Sequence, residues 1–106
     1  MSSHPVAPAQ LSPVERAIWE ETVALVATLT PARFQALEAY AIERARCLEA
    51  EAWVRAHGTT IEIRSDKGEI KNVIPAPQLR IAREAQDRAL RLAAALKLRL
   101  RQRDEP

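Results

Sequence analysis

A chain of 106 residues with a formal net charge of +2 fits a single domain, and such a domain buries only part of the surface its unfolded chain exposes, so its core is thin. Apolar residues make up 47% of it, yet only four are aromatic (Trp19, Phe34, Tyr40 and Trp53). Alanine therefore supplies much of the apolar content and favours close helix packing, including between subunits. The single cysteine excludes an internal disulfide, no segment approaches the roughly 20 apolar residues that span a bilayer, and the start MSSHPVAPAQ lacks the basic and apolar runs of a signal peptide, so the chain is expected in the cytoplasm with no membrane partner.

Residues 1–11 place prolines at 5 and 8 among small polar residues and are expected to form a flexible arm that joins no packed core. Order is expected over residues 12–99. Ser12-Pro13-Val14-Glu15 combines a capping hydroxyl, a proline at the first helical position and a glutamate able to reach back to the cap, which together fix a helix start. The spacing predicts that this helix runs to about Leu29, with Val14, Ile18, Leu25 and Leu29 on its inner face. Thr30-Pro31 repeats the start signal, so a second helix follows at once and the two form an antiparallel hairpin. Its apolar positions, Phe34, Leu37, Ala41, Ala45, Leu48 and Ala52, continue until His57-Gly58 stops it. At about 27 residues it is roughly 40 Å long, more than a short partner helix covers. The surplus face, with Tyr40 and Trp53, is expected to meet another subunit.

Beyond Gly58 the period changes to two. Residues 59–64 and 69–74 alternate around the turn Ser65-Asp66-Lys67-Gly68, which reads as a β-hairpin over 59–74. An isolated two-stranded hairpin is marginal in water, so it is expected to pack on a helix or on a neighbouring subunit. Pro75-Ala76-Pro77 opens a last helix over about 77–99, with Ile81, Ala85, Leu92 and Leu96 on one stripe and Arg80, Arg83, Arg88 and Arg91 mostly outside it. Residues 100–106 form a basic tail. In Leu98-Arg99-Leu100-Arg101-Gln102-Arg103 the alternation suits either a continued helix or a short docking strand. The fold class is mainly α, with one β-hairpin between the helical hairpin and the C-terminal helix.

Charge divides at Gly58. Residues 1–58 hold five arginines and seven glutamates, whereas residues 59–106 hold eleven basic and seven acidic residues, so the second half is the better face for an acidic partner. Arg64, Lys67 and Lys71 cluster on the hairpin and are the candidates for phosphate contact, although lysines there also keep an exposed strand edge from aggregating. Nothing points to catalysis, a metal or a cofactor. His4 and His57 lack metal-ligand companions, and His57 suits the negative end of the second helix. Cys47 reads as a small apolar residue within a helix. Glu43, Glu49 and Glu51 alternate with Arg44, Arg46 and Arg55 as intrahelical pairs, and neither glycine lies in a phosphate-cradling loop.

Taken in order, the elements resemble the small terminase subunits of tailed bacteriophages and prophage-derived particles. The resemblance covers about residues 11–98. It is carried by Leu11-Ser12-Pro13 with Ile18-Trp19, by Leu29-Thr30-Pro31 leading to Ala36-Leu37-Glu38-Ala39-Tyr40-Ala41, by the Gly58 stop, by Asp66-Lys67-Gly68-Glu69, and by Ala76-Pro77 leading to Ala93-Ala94-Ala95-Leu96. It implies a non-enzymatic subunit that forms a ring of about nine copies, engages the DNA to be packaged, and regulates the ATPase and nuclease of the large terminase subunit. Two departures stand out: Lys97-Leu98 replaces a glycine-leucine pair common in the family, and the segment before Ser12 leaves no room for a helix-turn-helix domain. Double-stranded DNA binding is accordingly expected to be weak and largely independent of sequence, as suits a headful phage or a gene-transfer particle. Leu98, Arg99, Leu100, Arg101 and Arg103 are the candidates for contact with the large subunit. The competing reading is a helical scaffolding or adaptor protein that binds only protein.

Overall fold

The computed structural model describes residues 5–98. Helix α1 spans Pro13–Val23, α2 spans Pro31–His57, strands β1 (Thr60–Arg64) and β2 (Ile70–Pro75) pair antiparallel, and α3 spans Pro77–Leu96. Each helix begins at a proline, which is already set at a helical φ and has no amide proton to leave unpaired. Ser12 and Glu15 close the reciprocal capping box, with the Glu15 amide donating to Ser12 Oγ and the Ser12 amide donating to Glu15 Oε1 at 2.9 Å. Thr30 caps α2 by accepting from the Arg33 amide. Gly58 ends α2 at φ 94°, a conformation that disfavours side chains, and its amide donates to the Val54 carbonyl.

α2 and α3 run antiparallel and make the most extensive contact in the molecule. Their seam is built from Cys47 and Ala50 on one side and Ala85 and Ala89 on the other, small side chains that let the helices approach closely. α1 covers the first half of α2, where Trp19, Leu37, Ala41 and Leu96 are buried together and Trp19 meets Phe34 edge to face at 5.8 Å. The radius of gyration, 18.5 Å, exceeds the roughly 13 Å of a compact domain of this size, because the helical pair and the hairpin extend beyond the part that α1 covers.

Three expectations are corrected. The first helix stops at Val23, six residues before Leu29: the Leu25 and Val26 amides turn back to Thr22 and Val23, and Val26 forms an isolated antiparallel bridge with Leu98. With the helix that short, Trp19 and Thr22 take its inner face, while Val14 and Leu25 are exposed. Second, Ala7 and Leu11 belong to the core, so the opening segment does join it. Buried Leu11 lies beside Trp19 and Leu37, and Gln10 donates to Glu38 at 2.7 Å. Third, α3 ends at Leu96, where Lys97 adopts a left-handed conformation that turns Leu98 toward Val26. Arg99 to Arg103 lie outside the described residues.

The hairpin register pairs Ile61 with Ile74, Glu62 with Val73 and Ile63 with Asn72, and a bulge follows between Ile63 and Arg64. Ser65 organises the turn: its carbonyl accepts from the Gly68 amide, and its hydroxyl accepts from the Lys67 and Glu69 amides. The hairpin makes no substantial contact with any helix, and Ile63, Ile70 and Val73 are exposed. Of the two expected ways of covering it, packing on a helix of its own chain is not the one found.

Candidate functional site

The described surface offers open grooves along the helices and a projecting hairpin. Arg64, Lys67 and Lys71 all lie exposed on the hairpin, as expected, but they are not equivalent. The Arg64 guanidinium is held by the Glu62 carboxylate and by the Gly68 carbonyl, so it braces the turn. Lys67 and Lys71 make no ion pair among the described residues. Over residues 60–75 the acidic Glu62, Asp66 and Glu69 balance the three basic residues, and the hairpin carries no net formal charge.

The net positive charge of the second half is shared between α3 and residues 97–106, and on α3 Arg80, Arg83 and Arg91 are exposed and without ion pairs among the described residues. Arg88 is the exception. Its Nε lies 3.1 Å from Glu43 Oε1, which also receives Arg46 at 3.2 Å, so Glu43 ties α3 to α2. The four arginines are visible in the sequence, but only the structure separates the bracing one from the three free ones.

Tyr40 and Trp53, expected together on an oligomerisation face, line different grooves. Tyr40 stands with Arg44, Gln86, Ala89, Leu90 and Ala93, whereas Trp53 stands with Glu49, Gln78 and Ile81. Both are half-buried. The indole of Trp53 stacks on His57 at 4.4 Å, and His57 Nδ1 donates to the Trp53 carbonyl at 3.0 Å, which satisfies an end carbonyl of α2. Leu98 packs against the core and bridges Val26, while Arg99, Leu100, Arg101 and Arg103 are outside the described residues.

Cys47 is fully buried, with its sulfur 3.6 Å from Glu51 Oε2, 3.7 Å from Gln86 Oε1 and 3.9 Å from the Arg44 guanidinium. Burial pushes its thiol above the ordinary value of 9.0, Glu51 pushes the same way, and Arg44 opposes them. The sulfur thus stays protonated and unreactive at neutral pH. Among the described residues no group of three acidic, histidine or cysteine side chains could hold a metal ion, and no helix is long and apolar enough to cross a membrane.

Unpaired charges on α3, an uncovered hairpin and a helix longer than either partner define the class: a small, mainly helical protein with much of its surface unoccupied by its own chain. The model of the phage terminase small subunit matches residues 16–105, nearly the whole chain, and the chain belongs to that family. Membership supports a role in phage DNA packaging, and small terminase subunits as a family are generally non-catalytic. No curated protein and no solved structure matches the chain.

Proposed function

We propose that this protein is a ring-forming, non-catalytic small terminase subunit that engages duplex DNA weakly and regulates the ATPase and nuclease of the large terminase subunit, in the host cytoplasm, for a phage or gene-transfer particle. Family membership across residues 16–105 is the observation that carries this reading. The exposed hairpin supports the DNA contact, with Lys67 and Lys71 free to reach phosphates and Arg64 stiffening the turn between them. Two or three phosphate contacts per hairpin contribute a salt slope of only about −2 to −3 in log K against log salt for each subunit engaged, and such contacts are indifferent to sequence. The region from Leu98 to Arg103 is assigned to the large subunit.

The test combines the purified chain with the large subunit and with duplex DNA over a salt series. Stimulated ATPase activity, with DNA retention at low salt that fades by physiological salt, is the expected result. An unchanged ATPase rate together with no binding to the large subunit overturns the reading. The charge-balanced hairpin favours one alternative, an adaptor that binds only protein, for which DNA is not retained even at low salt while the large subunit still binds.

A further inference from the structure

We propose that the half of α2 left uncovered by α1 is the seat for α3 of a second copy of this chain. The inference rests on the self-association proposed above and specifies which surfaces meet. α1 has 11 residues and α2 has 27, so the apolar stripe of α2 is covered at Phe34, Leu37 and Ala41 and continues past α1 at Ala45 and Leu48. There it floors an open groove of about 700 Å³, closed at one end by Ser12 to Glu15 and lined by Val14, Ile42, Ala45 and Leu48. Val14, 55% exposed, gives the groove an apolar wall.

The rim is acidic. Glu49 is exposed and makes no ion pair among the described residues, whereas the groove's basic residue, Arg46, is already held by Glu43. α3 carries the complement along the flank of its seam with α2: Leu79, Arg83 and Leu90 recur at helical steps beside Gln86, whose side chain reaches Cys47, Leu90 is 60% exposed, and Arg83 has no ion pair among the described residues. Leu90 of one copy fills the groove against Leu48 of the next, and Arg83 meets Glu49. Groove and stripe are different surfaces of the same chain, so each copy offers one to either neighbour. Such a head-to-tail contact repeats until a ring closes.

The test is the solution mass of the full chain by light scattering, with circular dichroism to confirm that each variant keeps its helices. The wild type is expected to assemble, L48D and L90D to fall to the mass of one chain, and the reversals E49R and R83E to lower the mass singly and restore it when combined. A monomeric wild type, single reversals that keep the full mass, or a double reversal that fails to restore it overturns the inference. So does an L48D chain that still assembles but no longer binds the large subunit, since the groove then holds that partner. Stimulation of the large subunit by a monomeric wild type would leave the packaging role standing while this inference fell.

Discussion

The two ends of α2 are built on opposite terms. Around its first half, Trp19, Leu37, Leu11 and Leu96 converge from four parts of the chain and exclude water. Beyond its second half the chain continues into a hairpin on which Ile63, Ile70 and Val73 are exposed and whose strands are held mainly by each other. The first arrangement makes the monomer stable. The second contributes little to the monomer and leaves backbone and apolar surface for a partner.

The largest break in that contrast comes from Trp19→Ala, which removes a fully buried ring and its edge-to-face partner and is expected to lower unfolding free energy by about 3–5 kcal/mol in urea. Ile63→Thr on the hairpin, measured the same way on monomeric protein, should stay within about 0.5 kcal/mol. Ser12→Ala opens the capping box at the packed end and should cost about 1 kcal/mol, read as a lower denaturation midpoint with unchanged slope.

A smaller effect is expected from pH. The folded thiol of Cys47 titrates above the unfolded value of 9.0, so the folded state holds the extra proton between those two values. Its contribution is complete below pH 9.0 and is lost as pH rises toward the folded value. Denaturant titrations from pH 8 upward should therefore show falling stability, and Cys47→Ala should flatten that fall. If the two chains lose stability in parallel, another group is responsible.

The smallest global effect belongs to Gly68→Ala. Gly68 sits at φ +87° in open space, so an added methyl meets only backbone strain, about 1–2 kcal/mol. Since the hairpin makes no substantial contact with the helices, that strain should appear as faster amide exchange at positions 68 and 69 with an unchanged melting temperature. A drop of several degrees would mean that hairpin and helices unfold together, and the contrast between the two ends would be lost.

The helix starts were legible in the sequence because a capping residue followed by proline acts within one turn, as Ser12-Pro13 and Thr30-Pro31 do. The hairpin was legible for the same reason, from its alternation and from the Ser65 to Gly68 turn. What escaped was fixed by residues far apart in the chain. Val23 ends α1 where Val26 meets Leu98, and Ala7 and Leu11 are buried because Trp19 and Leu37 leave room for them. The apolar stripe drawn along α2 from Phe34 to Ala52 is buried only in its first half, at Leu37 and Ala41, and the residues that α3 buries farther along, Cys47 and Ala50, lie off that stripe. At the candidate site, the sequence marked the basic residues of the hairpin and of α3. Their pairing depends on Glu62 and Glu43, and no spacing rule singles those two out.

The core at the packed end joins Ala7 and Leu11 to Leu96, residues separated by most of the described chain. During synthesis, α1, α2 and the hairpin emerge first, and Trp19 and Leu37 must wait for the last turn of α3 before their cluster is complete. A nascent chain therefore presents an open helical hairpin with its apolar interior unfinished. Neighbouring chains on one messenger can meet through that interior before either has closed, so exchange of α3 between copies is the misfolding route this architecture invites.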